Sequence, residues 1–143
     1  MGIVRFGRVA SLVFLLSACN GFADPEELLA QAQQAFAEAD YRDARVRLQA
    51  LVEQAPERAD VHYLLAKALL ATGKPHSALR ALNTALELGF SREESQKTHA
   101  RALLAVGQPD AVIELLPAAA DLEAAGKGEE LLLLGQAQAR LRH

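Results

Sequence analysis

From residue 25 onward, apolar side chains recur at three- and four-residue steps and stop at short polar turns, the spacing of two-faced helices. Val61, Leu64, Leu65, Ala68 and Leu69 form one stripe; Ala78, Leu79, Leu82, Ala85 and Leu86 form the next. Between them Gly73 supplies the left-handed cap that ends one helix, and Pro75 opens the other, where its missing N–H costs nothing. Followed along the chain, the pattern predicts helices over about 25–39, 41–54, 59–72, 75–88, 92–106, 109–124 and 128–141. Ser77 and Ser91 read as helix-start residues, with Glu94 completing a capping box behind Ser91. The turns are short, so neighbouring helices run antiparallel.

The stripes also repeat at a longer period. At an offset of 34, Ala32, Ala66 and Ala100 superpose, as do Ala35, Leu69 and Leu103; Ala44, Ala78 and Val112; and Leu48, Leu82 and Leu116. Gly73 and Gly107 coincide, each followed by a turn containing Pro. In the first unit Leu28, Ala32, Ala35, Tyr41, Ala44, Leu48, Leu51 and Pro56 carry the apolar, small and aromatic positions of a helical hairpin. On these residues the chain resembles the tetratricopeptide repeat (TPR) family from about Pro25 onward. Two features depart from the pattern. The aromatic that usually opens the first helix is Leu28, His62 and Gln96, and the closing Pro is missing from the second and third units. The resemblance implies an all-α solenoid of about three repeats plus one extra helix. The units fall at 25–58, 59–92 and 93–126, with an incomplete one at 127–143.

That last stretch is ambiguous. Leu131 to Leu134 sweep most of the way round a helix, so one or two of them must face water or a partner. Gly135 takes the small position of a fourth unit one residue late. The helix is either a greasy cap or the first helix of a further repeat whose partner is absent, because the chain is a fragment of a longer one or because another protein covers it.

Ahead of the array stand Arg5 and Arg8, an apolar run from Val9 to Leu16, and Ser17-Ala18-Cys19. A charged flank, a short apolar run and small residues form a secretory signal peptide, too short to span a bilayer. Leu16-Ser17-Ala18-Cys19 resembles the bacterial lipobox. That resemblance implies a lipoprotein signal peptide over 1–18, lipidation at Cys19 and a lipidated tether over 19–24. An ordinary signal peptide cut nearby, or a chance Cys, is the alternative. Asn20, where inner-membrane lipoproteins often carry Asp, points to the outer membrane, facing the periplasm.

Composition narrows the chemistry. With 15 Lys and Arg against 18 Asp and Glu the formal charge is −3, which becomes −5 once Arg5 and Arg8 leave with the leader. An acidic chain argues against nucleic acid. Metal ligation and cofactor binding are not expected. His62 and His99 sit three residues out of phase in neighbouring units, His76 lies in a turn, and no H-x₃-H or C-x₂-C spacing exists. No Ser lies in a G-x-S-x-G context and Cys19 is engaged in anchoring, so enzymatic activity is not expected either. Glu129 and Glu130 suit a helix start and need no catalytic role.

The TPR resemblance implies a concave groove lined by the first helix of each hairpin. Its positions fall on Glu26, Leu29, Gln33 and Phe36; on Asp60, Tyr63, Lys67 and Leu70; and on Glu94, Lys97, Arg101 and Leu104. Lys67, Lys97 and Arg101 gather at one end, so an acidic peptide or an acidic sugar polymer is a conceivable ligand, and a solvated face is the alternative. The Asn residues with which chaperone-tail-binding TPR domains clamp a terminal carboxylate are absent from these positions. The expected function is a membrane-anchored, non-enzymatic scaffold in the bacterial envelope that binds a protein partner. A signal peptide and lipobox directly before the first repeat, A-L-E-L-G closing the second unit, and Ala100-Arg101-Ala102-Leu103-Leu104 resemble the start of TPR lipoproteins of the exosortase and PEP-CTERM sorting system. That likeness implies a link to exopolysaccharide production. Alternatives are a pilotin-like or outer-membrane assembly accessory, and a regulator docking on a cell-wall enzyme.

Overall fold

The computed structural model describes residues 24–142; the expected signal peptide, the expected lipidation at Cys19 and His143 lie outside them. Among the described residues eight helices follow one another: α1 Pro25–Ala37, α2 Tyr41–Gln54, α3 Ala59–Ala71, α4 Pro75–Glu87, α5 Arg92–Ala105, α6 Pro109–Leu115, α7 Ala119–Ala124 and α8 Gly128–Leu141. Each packs mainly on its sequence neighbours, as a stack of hairpins does, except that α8 packs on α5 and α6 as well as on α7. The fold is the α-solenoid that the 34-residue period predicts.

The period is written in what is buried. Ala32, Ala66 and Ala100 have no exposed surface, and neither do Ala44, Ala78 and Val112 on the second helices. Small residues there let helix backbones approach closely, while Leu48, Leu51, Leu65 and Leu82 fill the space between turns. The polar residues at the opening position are accommodated by hydrogen bonds. His62 is buried with Nε2 2.8 Å from the Pro56 carbonyl oxygen, and Gln96 Nε2 donates to the Leu115 carbonyl at 3.0 Å.

One turn recurs in the first three units. After α1 the Asp40 N–H reaches the Ala35 carbonyl and the Ala39 N–H reaches that of Phe36, the double bond of a Schellman cap. Lys74 and Gln108 make the same closing bond to Leu69 and Leu103. The left-handed residue is Gly73 (φ 73°) in the second unit and Gly107 (φ 77°) in the third, but Ala39 (φ 59°) in the first, where a Cβ resists that conformation.

The expected helix over 109–124 is two. Pro117 forces the residue before it out of helical geometry, and Leu116 is extended (φ −88°, ψ 144°), so α6 ends and α7 starts afresh. The Leu115 carbonyl, which would have met the Ala119 N–H in a continuous helix, takes the Gln96 side chain instead.

Two smaller expectations also change. Ser91 does cap α5, its Oγ accepting from the Glu94 N–H at 3.2 Å, but Ser77 lies inside the first turn of α4 and accepts from Arg80. In α8 the repeat keeps its 34-residue phase: Leu134 and Ala137 are buried where Ala100 and Leu103 stand one unit earlier, large and small exchanged. Gly135 is exposed and fills no small position. Of the four consecutive Leu, 133 and 134 are buried, Leu131 is half-buried and Leu132 is 61% exposed.

Candidate functional site

The first helices α1, α3 and α5 lie side by side and leave an open cavity of about 670 Å³. Six of the groove residues expected from the repeat line it: Phe36, Tyr63, Lys67, Leu70, Lys97 and Arg101. They meet because each recurs one or two turns along its own helix at the same 34-residue phase, on the face turned away from the second helices. The other six lie outside it: Glu26 pairs with Arg58, Leu29 is half-buried against the first core cluster and Glu94 is exposed. Gln33 is exposed beyond the cavity, Asp60 pairs with Arg58, and Leu104 is buried in the second core, where α8 packs over its end of α5. The last is a consequence of α8: the Leu104 carbonyl accepts from Arg140 Nη1 at 2.5 Å.

Aromatic rings make one wall. Tyr63 stacks on Phe90, which follows the turn between α4 and α5, with centroids 4.2 Å apart and ring planes 22° apart. The Tyr63 hydroxyl lies 3.2 Å from Thr98 Oγ1 and 3.4 Å from the Glu94 carbonyl oxygen, which ties α3 to α5 across the cavity floor. Phe36 meets Tyr41 edge-on at 5.7 Å. The Lys67 ammonium sits 5.4 Å from the Phe36 centroid and 5.8 Å from that of Tyr63, within reach of both ring faces.

Charge is arranged in two groups. Within the cavity Lys67 makes no ion pair among the described residues, while Lys97 and Arg101 both reach Glu129 at the start of α8, at 3.1 and 3.6 Å. Along the repeat edge, Arg58 bridges Glu26 at 2.7 Å and Asp60 at 2.8 Å, and Lys127 reaches Glu93 at 3.0 Å. The Arg58 guanidinium, chiefly by hydrogen bonding, holds the Asp60 carboxyl below its ordinary range, and Asp60 in turn raises Arg58. Both edge bridges join a residue just before one first helix to an acid near the start of the preceding first helix. They link successive units at their exposed edge.

Tyr41, Thr98 and Glu129 belong to the site although groove phase alone did not select them. Tyr41 was visible as the aromatic of the first hairpin, and Thr98 as the small hydroxyl beside Lys97. Glu129 carried no signal beyond a favourable helix start, since its partners lie about 30 residues away in sequence and meet it only through the docking of α8. Among the described residues there is no group of three His, Cys, Asp or Glu placed to hold a metal ion, and no helix is long and apolar enough to cross a membrane. The cavity offers aromatic faces, aliphatic surface and cations, the means to bind a chain segment by shape and charge.

Residues 35–102, from the end of α1 into α5, match the tetratricopeptide repeat family. No curated protein matches the chain. Over that stretch the chain is similar to tetratricopeptide repeats, a family that generally serves as a non-catalytic scaffold for protein–protein interaction.

Proposed function

We propose that the protein is a non-enzymatic docking scaffold whose groove holds an extended polypeptide segment carrying an acid beside an apolar or aromatic residue. The observation that carries this reading is the cavity itself: Phe36, Tyr63 and Leu70 stand beside Lys67, Lys97 and Arg101 in one open space on an otherwise acidic chain. An aromatic wall removes apolar side chains from water, and the cations fix register by pairing with an acid. Binding of peptides selected from a displayed random library should fall at least tenfold in Tyr63→Ala and in Lys67→Glu, and peptides bound equally by these variants would refute the groove as the site.

The scaffold is anchored, in this reading, by lipid on Cys19 at the periplasmic face of the outer membrane, since the leader ends in Leu16-Ser17-Ala18-Cys19 and Asn20 follows. One acyl chain contributes about 0.8 kcal/mol per buried CH₂, so two or more hold a protein on a membrane durably. An acyl-chain probe should label the wild type and not Cys19→Ser; equal labelling of the two would dismiss the anchor. The pathway we infer is exopolysaccharide production linked to PEP-CTERM sorting, on the resemblance of the leader and first repeats. Exosortase and glycosyltransferase genes found beside this one would support it, whereas secretin or pilus genes there would favour a pilotin-like role instead.

A further inference from the structure

Glu129 stands where the groove meets the last helix. One of its carboxylate oxygens reaches Lys97 Nζ at 3.1 Å and the other Arg101 Nη1 at 3.6 Å, so a single acid occupies two of the three cations of the cavity. The three side chains are 45%, 57% and 48% exposed for Lys97, Arg101 and Glu129. Such a pair is well hydrated, and exchanging one carboxylate for another there changes little in the fold. The docking of α8 rests on other contacts. Lys127 reaches Glu93 at 3.0 Å at its start, Arg140 donates to the Leu104 carbonyl at 2.5 Å toward its end, and Leu133, Leu134 and Ala137 are buried between.

We propose that Glu129 is a built-in competitor for the groove. Resting on the groove-binding reading above, its carboxylate occupies the cation pair that an acid of the bound segment would take, and it turns out to solvent when that segment binds. The helix itself stays docked. A ligand acid then gains only the difference between its own pairing and that of Glu129, so α8 sets the affinity of the groove through one side chain. Lys67, which lies over the two rings, remains open to the ligand throughout.

The test uses the full chain in detergent micelles and an acidic peptide enriched from a displayed random library, compared with the same peptide carrying amides in place of its acids. Glu129→Gln keeps the side-chain shape and removes the charge. It should bind the acidic peptide more tightly, by up to about fivefold, the equivalent of one exposed ion pair. The amide peptide should bind both proteins alike. Adding Lys97→Gln to Glu129→Gln should remove the gain. Equal affinity of the acidic peptide for wild type and Glu129→Gln, or an equal gain for the amide peptide, would overturn the proposal while leaving the groove reading intact. Faster hydrogen exchange throughout α8 in Glu129→Gln would also overturn it, since α8 would then depend on the pair. If no peptide is enriched, or the enriched ones bind Tyr63→Ala as well as the wild type, the groove reading fails and the competitor with it.

Discussion

In the first two hairpins the second helices run unbroken for 14 and 13 residues, whereas in the third unit α6 stops after 7 and a separate α7 of 6 follows. Both regions keep the 34-residue phase at their buried positions, yet they fill it differently. Leu51 and Ala85 continue the second-helix stripe inward, while the corresponding Ala119 is exposed and Leu122, three residues on, enters the core. The core divides accordingly. One cluster runs from Leu28 to Ala102, and another joins α5 to α8 through Val112, Leu122, Leu133 and Leu134, with Leu79 bordering both. A repeat array tolerates a broken helix because each unit needs only its neighbours' buried surface.

The largest effect expected separates the two clusters. Leu82→Ala and Leu122→Ala each empty a fully buried Leu and should cost about 2–5 kcal/mol. Hydrogen exchange should then speed up across α3 and α4 for the first and across α6 to α8 for the second; a uniform change over the whole chain for both would merge the clusters into one cooperative unit. Ala66→Leu places a large side chain at a helix crossing with no exposed surface and should lower stability by about 1–3 kcal/mol through overpacking. An unaltered thermal midpoint for that variant would contradict the register.

The broken helix gives a more local comparison. Gln96→Leu leaves the Leu115 carbonyl without its partner and should cost about 1 kcal/mol. In a Pro117→Ala background, where α6 can continue toward Ala119, that cost should shrink, which a double-mutant cycle in urea would measure. In the other region, Ala39→Gly relieves a left-handed residue and should raise stability by up to about 1 kcal/mol, whereas Gly107→Ala should lower it. The smallest effect is on pH. Burial, and then the charge of Arg92, hold His99 below its ordinary value, so the unfolded chain binds that proton more readily. The associated stability is present above about pH 6.5 and is lost as pH falls through the folded value. Urea midpoints compared at neutral and mildly acid pH should differ less for His99→Gln than for the wild type.

Much of the site was legible because the groove repeats with the helices. Tyr63 with Lys97, Lys67 with Arg101, and Phe36 with Leu70 occupy equivalent phases, and the cavity gathers them. Leu104 shares that phase but was misplaced, since phase states which way a residue points and not what covers it; α8 does. Ala39 at the place of Gly73 and Gly107 was readable from the period but lacked the glycine that draws attention to a cap. Pro117 was readable too. Its effect on Leu116 is local and steric, and the apolar periodicity across it concealed the break.

Helix number in the first two hairpins, their turns and their buried stripes follow from the sequence alone, because periodicity, capping residues and Gly–Pro punctuation act over a few residues. The tertiary structure decided what depends on distant neighbours. It ties Gln96 to the carbonyl freed by Pro117, buries Leu134 where Ala100 stands one unit earlier, and brings Glu129 to Lys97 and Arg101. These contacts join residues that only the stacking of α8 on α5 and α6 brings within reach, and no local pattern encodes that stacking.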